Sequence, residues 1–205
     1  MFIACSVAIL VAAGCGNARE SPLPADSVVL IVGDSITAGF GIDADDAWPA
    51  KLAARTGWRV VAEGVNGDRS AGGRARLPAL VAEHKPALVI IELGGNDLLR
   101  GVSAAEIAGN IDAMIESARA GGARVVLMAI PQPSMLGALT RLAPAGLYAD
   151  LAARRRVPLI EKALPSVLSD ESLRQDTIHP NAAGHKALAD RSVEELARIG
   201  LVAPR

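Results

Sequence analysis

The sequence predicts a single α/β domain, a sandwich of helices around a parallel sheet. Five short runs rich in Val, Ile and Leu alternate with longer segments that have the amphipathic spacing of helices. The short runs are nearly continuous in apolar residues, which is typical of parallel strands buried on both faces. Strict alternation of the two kinds of segment favours an α/β sandwich with right-handed crossovers.

The individual strands and helices follow from these patterns in chain order. The predicted strands span residues 28–32, 59–62, 87–93, 124–130 and 157–160. The predicted helices span residues 47–56, 71–84, 104–120, 143–155 and 182–199. Ser103 and Glu106 have the spacing of a capping box at the start of the third helix, and Gly121 and Gly122 supply its stop.

Length and composition exclude several classes of protein. The chain has 205 residues, which fits one domain of ordinary size. Lys and Arg number 21 against 22 Asp and Glu, so no basic surplus is available for nucleic acid or an anionic membrane surface. Aromatic residues make up 2% of the chain, which argues against a stacking platform for single strands. We therefore expect no nucleic-acid partner.

The first residues have the pattern of an export signal. An apolar run extends from Phe2 to Gly16, short of the roughly 20 residues that span a bilayer. Gly14 and Cys15 near its end resemble a bacterial lipoprotein acylation site, and cleavage after Ala18 is the alternative. We expect an export signal of the lipoprotein type over residues 1–18. Membrane contact would then occur only through a lipid anchor at Cys15.

The remainder of the chain is expected to be a linker over residues 19–26 and the domain over residues 27–205. Both cysteines of the protein, Cys5 and Cys15, belong to the apolar run, so the domain contains none. This excludes a disulfide framework and a zinc site with cysteine ligands from the domain. The three histidines are scattered along the sequence, and we expect no metal ion.

Four polar segments are placed where a sheet of this type binds ligands. Residues 33–37, 64–68 and 94–97 follow the first three predicted strands, and residues 176–180 precede the last helix. Ligands of such sheets bind beyond the carboxyl ends of the strands. The four segments therefore predict an active site at this edge.

Three residues in these segments have the chemistry of acyl transfer. Ser35 stands at the turn after the first strand, and a serine hydroxyl needs an adjacent base to become a good nucleophile. His179 lies just before the last helix, with Asp176 three residues earlier. This spacing lets the carboxylate hold one ring nitrogen while the other faces the serine. His84 and His185 lie on predicted helices and are expected to be structural.

Donors for an oxyanion can also be identified. The backbone N–H groups of Ser35 and Gly67 and the side-chain amide of Asn96 would supply three. The alternative for Asn96 is that its segment only forms a turn. Asp34 and Asp97 are expected to brace the loops through backbone N–H groups.

These residues resemble, in order, the sequence blocks of the GDSL or SGNH hydrolase superfamily. Gly33, Asp34 and Ser35 match its first block, Gly67 its second, residues 94–97 its third and residues 176–179 its fourth. Residues 47–49, 75–80 and 92–97 further resemble its branch of periplasmic acyl-CoA thioesterases, lysophospholipases and arylesterases. The likeness runs over nearly the whole predicted domain.

The resemblance implies a flavodoxin-like, three-layer α/β sandwich with a five-stranded parallel sheet. It implies cofactor-free hydrolysis of carboxylic esters or thioesters through a Ser-His-Asp triad and an acyl-enzyme. The substrate would be a small acyl ester or thioester, and we expect a monomer. The protein would be exported, either periplasmic or membrane-anchored as a lipoprotein, in a Gram-negative bacterium.

Two stretches depart from that branch. In family members the segment after the fourth strand helps to shape the acyl channel; here it is rich in proline, and we expect Pro131, Met135 and Leu136 to contact substrate. Arg69 stands where a small polar residue is more usual. Its guanidinium would either be solvated or favour a substrate that carries phosphate or carboxylate.

Other functions remain as alternatives. A carbohydrate O-acetylesterase uses the same superfamily blocks, although scarce aromatic residues and the apolar segment after the fourth strand argue against it. A nucleotide- or flavin-binding module is opposed by the missing third glycine after Gly39 and Gly41 and by the lack of a Walker pattern. A surface-displayed adhesion protein without activity is disfavoured by the complete set of catalytic residue types.

Overall fold

The computed structural model describes residues 20–132 and 142–203. Within them, five strands form one sheet in which every neighbouring pair is parallel, in the order β2-β1-β3-β4-β5. The strands are β1 Val28–Gly33, β2 Arg59–Gly64, β3 Leu88–Glu92, β4 Arg124–Met128 and β5 Leu159–Ile160. The predicted parallel sheet of five strands is confirmed.

Helices flank the sheet on both sides. In the described part of the chain they are α1 Ser35–Ala38, α2 Trp48–Thr56, α3 Ser70–His84, α4 Gly95–Leu99, α5 Ala104–Ala120, α6 Gly146–Arg155, α7 Ala163–Leu168 and α8 Ala182–Ile199. Helices α3, α5 and α6 pack side by side in one layer, whereas α2 and α7 pack on α8 in the other. Two short 3-10 turns, Ala44–Asp46 and Glu171–Leu173, complete the connections. The three-layer sandwich is thus confirmed.

Burial explains which strands were easiest to recognise. The central strands β1 and β3 are covered on both faces, and from Val29 to Gly33 and Leu88 to Glu92 every residue is buried. Strand β2 at the edge is only partly covered. Burial on both faces removes the need for polar alternation, which is why the central strands read as continuous apolar runs.

Among the predicted boundaries that differ from the structure, two differ because of a proline. The last strand starts at Leu159 rather than residue 157, since Pro158 has no N–H to donate to the ladder. The sixth helix starts at Gly146 rather than residue 143 because the chain around Pro144 first pairs with Pro131 in an antiparallel bridge. The sequence patterns also missed the short helices α1, α4 and α7.

The amino-terminal residues of the described chain lie against the end of α8. The Glu20 N–H donates to the Ile199 carbonyl, and the Leu23 N–H donates to the Leu201 carbonyl. Leu23 is buried in the core cluster. The predicted export signal, including Cys15, lies outside the described residues. No helix in the described ranges has both the length and the apolar character that crossing a bilayer requires.

The chain order creates a crevice between two neighbouring strands. From β1 the chain goes outward to β2 on one side and then returns across β1 to β3 on its other side. Sheets of this kind bind ligands where the strand order reverses, at the carboxyl ends of the strands. This places the residues that follow β1 and β3 next to each other.

Candidate active site

Ser35 is the first residue of α1, directly after β1. The preceding Asp34 caps this short helix, with one carboxylate oxygen accepting the Ile36 N–H at 3.0 Å. Gly33 is required at the end of the strand, since a Cβ there would lie 2.1 Å from the Thr37 hydroxyl. The tight turn buries most of Ser35 and leaves its hydroxyl on the wall of a cavity.

The structure brings Ser35, His179 and Asp176 together in one hydrogen-bonded chain. Ser35 Oγ lies 2.9 Å from His179 Nε2, and His179 Nδ1 lies 2.7 Å from Asp176 Oδ2. Because a carboxylate oxygen can only accept, Nδ1 carries the ring proton and Nε2 accepts from the serine hydroxyl. This is the tautomer that a general base needs.

Asp176 is held in its ionised form although it lies in an exposed loop. Partial burial opposes ionisation, but the His179 side chain and the backbone N–H groups of Ile178 and His179 donate to the carboxylate. The balance holds the pKa of Asp176 below its ordinary value. The carboxylate therefore remains available to orient the imidazole at neutral pH.

The loop that carries His179 is tied to the loop that follows Ser35. The Gln175 side chain donates to the Phe40 carbonyl at 2.7 Å, and the Gln175 N–H donates to the His179 carbonyl at 3.0 Å. The Phe40 ring lies 4.8 Å from the His179 ring, centroid to centroid. These contacts keep the imidazole near the serine over a sequence separation of 144 residues. Sequence reasoning did not identify Phe40 or Gln175.

Asn96 approaches the same point from β3. It lies in α4, and its Nδ2 donates to Asp34 Oδ2 at 3.1 Å. An amide nitrogen carries two hydrogens, so one remains for a further acceptor. The segment is a short helix rather than the simple turn considered as the alternative.

Gly67 lies at the same edge in the loop between β2 and α3. Its φ of +74° belongs to the left-handed region that favours glycine. It is not among the described residues that line the cavity. Arg69, two residues further on, is exposed.

A pair of buried carboxyl groups lies beneath this site. Burial raises the pKa of Asp34 to about 6, against the opposing hydrogen bonds from Ile36 and Asn96. Burial and the nearby Asp34 charge raise the pKa of Glu92 well above its ordinary value. Glu92 accepts from the Thr37 hydroxyl at 2.7 Å, while its second carboxyl oxygen has no hydrogen-bond partner among the described residues. Burial therefore favours the neutral acid form of Glu92 over its carboxylate.

Glu92 was missed by sequence reasoning, although one signal was present. It is the only charged residue in the predicted strand over residues 87–93. A charged group on a strand covered on both faces must be paired or neutralised, so its position already indicated an unusual role.

The residues expected to be structural behave as such. His185 is buried, its Nδ1 accepts the Trp48 N–H at 3.1 Å, and burial followed by the charge of His179 lowers its pKa to about 4. Asp97 accepts from both the N–H and the hydroxyl of Ser70, which ties α4 to the start of α3. The predicted bracing roles of Asp34 and Asp97 are thus confirmed.

The cavity beside Ser35 has a volume of about 420 Å³ and a largely apolar wall. Its apolar lining residues include Ile36, Leu99, Ile130, Leu142, Leu168 and Ile178. Pro131, one of the predicted substrate contacts, also lines it. The other two, Met135 and Leu136, lie outside the described residues. In the described ranges, no group of three or more His, Cys, Asp or Glu is placed to hold a metal ion.

Comparison with known proteins identifies the family. The GDSL-like lipase/acylhydrolase family matches residues 31–187. The Esterase TesA of Pseudomonas aeruginosa is 42% identical over 172 residues, which cover 81% of this chain and 86% of that protein. The thioesterase 1/protease 1/lysophospholipase L1 of Escherichia coli K12 is 36% identical over 177 residues, or 84% of each chain.

A solved structure extends the likeness to the fold. The crystal structure of TesA has a TM-score of 0.75 and 38% sequence identity, with coverage of 84% of this chain and 99% of that chain. The match in sequence spans the strands and loops that carry Ser35, Asn96 and His179. The chain therefore belongs to the GDSL-like lipase/acylhydrolase family and is a carboxylic ester hydrolase of the esterase and thioesterase type.

Proposed function

We propose that Ser35, His179 and Asp176 carry out the hydrolysis of acyl esters and thioesters by this protein. The observation that supports this most strongly is the continuous hydrogen-bonded chain from Ser35 Oγ through both nitrogens of His179 to Asp176. In this Ser-His-Asp arrangement Ser35 is the nucleophile, His179 is the base and Asp176 is the carboxylate that orients the base.

The reaction proceeds through an acyl-enzyme. His179 Nε2 takes the Ser35 hydroxyl proton as Oγ bonds to the substrate carbonyl carbon. The tetrahedral intermediate then collapses, the bond to the leaving oxygen or sulfur breaks, and that atom takes the proton from His179. Water attacks the acyl-enzyme in the same way, His179 returns a proton to Ser35 Oγ, and the free acid leaves.

The negative oxygen of the tetrahedral intermediate needs hydrogen-bond donors. We assign this role to the backbone N–H groups of Ser35 and Gly67 and to the side-chain amide of Asn96. The remaining Nδ2 hydrogen of Asn96 and the position of Ser35 at a helix start support the assignment. A preorganised donor in a water-poor site stabilises the transition state more than it would in water.

The substrate proposed for this site has an apolar acyl chain. Ile130, Leu142 and Leu168 provide an apolar wall next to the Ser35 hydroxyl, and Pro131 continues it. We include Met135 and Leu136 in the acyl-binding region because they belong to the segment that shapes the acyl channel in the family the sequence resembles. The names of the relatives, esterase and thioesterase/lysophospholipase, are consistent with a substrate that is an acyl ester or an acyl thioester.

We also propose that the enzyme acts after export and is anchored through Cys15. The apolar run before Cys15 and the adjacent Gly14 support this. Mass spectrometry of the mature protein tests it, with Cys5→Ser as the control for Cys15→Ser. A mature chain that begins at unmodified Arg19 would rule out lipidation.

The catalytic assignment is tested with p-nitrophenyl esters from acetyl to palmitoyl. Ser35→Ala and His179→Ala are expected to lower kcat by about 10⁵ or more, the scale seen when a triad nucleophile or base is removed. Ser117→Ala and His84→Ala are matched controls on α5 and α3 and should retain wild-type kcat.

The series also decides between substrate classes. Serine-dependent turnover with an optimum at medium or long chains supports the proposed acyl ester hydrolase. A sharp preference for acetyl, together with release of acetate from acetylated xylan, would favour the carbohydrate O-acetylesterase instead. Wild-type activity in Ser35→Ala would contradict the assignment of the nucleophile.

A further inference from the structure

Arg100 contacts the proposed oxyanion donor from the side opposite to Asp34. It follows α4 directly, four residues after Asn96. Its Nη1 donates to Asn96 Oδ1 and to the Asn96 backbone carbonyl, both at 3.0 Å. We propose that Arg100 is a positioning residue that orients the Asn96 amide, an inference that rests on the oxyanion role given to Asn96 above.

The two ends of the Asn96 amide are chemically opposite. Its oxygen only accepts hydrogen bonds, and its nitrogen only donates them. A carboxylate oxygen of Asp34 faces the nitrogen, while the guanidinium of Arg100 faces the oxygen. The amide has two possible orientations, which differ by a rotation of half a turn. Both neighbours select the same one, with Nδ2 toward Asp34 and Oδ1 toward Arg100.

The orientation matters because only one of the two presents a donor to the oxyanion. With Nδ2 toward Asp34, its second hydrogen is free to bind the negative oxygen of the intermediate. In the rotated amide, Oδ1 would face the Asp34 carboxylate and the NH₂ group would face the Arg100 guanidinium. Each contact would then be repulsive, and Oδ1 would also replace the donor.

The backbone around Arg100 keeps the guanidinium over Asn96. The Arg100 N–H donates to the Asp97 carbonyl at 3.0 Å, and the Gly101 N–H donates to the Leu98 carbonyl at 3.1 Å. Gly101 turns the chain away with a φ of +71°. A helical spacing of four residues brings side chains onto the same face, so the reach of Arg100 to Asn96 follows from its place in the sequence.

Three other roles for Arg100 must be separated from positioning. The side chain also binds the backbone carbonyl of Asn96 in α4, which would make it only a helix cap. Its charge would alternatively stabilise the oxyanion without Asn96. Because it is exposed, it would alternatively bind an anionic group of the substrate.

A double-mutant cycle on an uncharged substrate distinguishes these roles. The four proteins are wild type, Arg100→Met, Asn96→Ala and the double variant, assayed for kcat and KM on p-nitrophenyl butyrate. Arg59→Met is the matched control, since Arg59 begins β2 at the opposite edge of the sheet. Each cycle is repeated with Arg100→Gln, and the melting temperature of every variant is recorded.

If Arg100 is a positioning residue, its removal should lower kcat only when Asn96 is present. Arg100→Met should lower kcat about tenfold with little change in KM, a fraction of the roughly 10²–10³ that removal of a whole oxyanion donor costs. In the Asn96→Ala background the same change should alter kcat by less than about twofold, which is the usual error of additivity. The melting temperature should be unchanged in both backgrounds.

Several results would overturn the inference. An equal loss of kcat in both backgrounds would mean that the charge acts without the amide. A rise in KM alone would indicate substrate binding, and a lowered melting temperature with unchanged kcat would indicate a cap only. Failure of the proposed function is read separately, because it would appear as activity in Ser35→Ala whatever Arg100 does.

Discussion

Asp176 and the Asp34–Glu92 pair are acidic groups of one site, but their surroundings are opposite. The Asp176 side chain is 46% exposed in a loop. Glu92 has no exposed surface, and Asp34 is almost fully buried at the end of β1. The pKa of the exposed carboxyl is lowered, and the pKa values of the two buried carboxyls are raised.

The difference shows that hydrogen-bond donors and burial act separately on a carboxyl group. Asp176 accepts from one imidazole and two backbone N–H groups, which outweigh its modest burial. Glu92 is more deeply buried, and the hydrogen bonds it accepts, including that from the Thr37 hydroxyl to Oε2, do not offset the effect of burial on its pKa. One site can therefore contain one carboxyl group whose surroundings favour the charged form and another whose surroundings favour the neutral form.

The largest expected loss of kcat in this comparison is at Asp176, the exposed carboxyl group. Asp176→Asn should lower kcat by about 10³–10⁴ while a measurable residue remains, because an amide can donate to Nδ1 and impose the wrong tautomer on His179. The measurement is kcat on p-nitrophenyl butyrate. Asp170→Asn is the control, since Asp170 also accepts a backbone N–H in the same region, from Ser172. Similar losses in the two variants would refute the special role of Asp176.

A smaller loss of kcat is expected at Asn96, which connects the buried carboxyl pair to the reaction centre. Asn96 donates to buried Asp34 and is assigned to the oxyanion of the reaction centred on Ser35. Asn96→Ala should lower kcat by about 10²–10³ with little change in KM, since the contact is made only in the transition state. Steady-state kinetics over the ester series measures both constants. A kcat within about twofold of wild type would remove Asn96 from the oxyanion site.

The smallest effect concerns stability and tests the buried side. The folded protein holds the Glu92 proton at pH values where the unfolded chain, with a pKa near 4.5, has released it. The contribution of Glu92 to the free energy of unfolding therefore falls as pH rises above about 4.5, by at most about 1.4 kcal/mol per pH unit. Glu92→Gln cannot ionise, so it should gain stability relative to wild type between pH 5 and pH 9.

Urea denaturation at pH 5, 7 and 9 measures this difference. Glu106→Gln, an exposed position in the first turn of α5, should show a difference from wild type that hardly changes with pH. If the Glu92→Gln difference is equally flat, Glu92 is ionised in the folded protein across this range, and the contrast with Asp176 fails.

Most of the fold was predictable from local patterns. The central strands were recognised because burial on both faces imposes an apolar run. Helix α5 was recognised because its cap and its periodicity agree, and α8 from its periodicity. The short helix α4 was missed, since five residues are too few to show a helical period. The boundaries near Pro144 and Pro158 depended on pairing with distant residues.

The identities of the candidate site residues were also within reach of the sequence. The polar residues Ser35 and Asn96 stand out because they follow apolar strands. Asp176 and His179 stand out because they directly precede the last helix. In a parallel sheet, the segments that follow the strands all lie at the same edge and form the ligand site. The convergence of these residues could therefore be expected before any distance was known.

The sequence by itself determined the parallel sheet, the edge that carries the site and the residue types available there. Only the tertiary structure decided that His179 Nε2 lies 2.9 Å from Ser35 Oγ, that Glu92 is shielded from water and that the Asn96 amide donates to Asp34. Local periodicity reports which side chains avoid water. Contact distances and pKa shifts depend instead on groups far apart in the chain, which packing alone brings together.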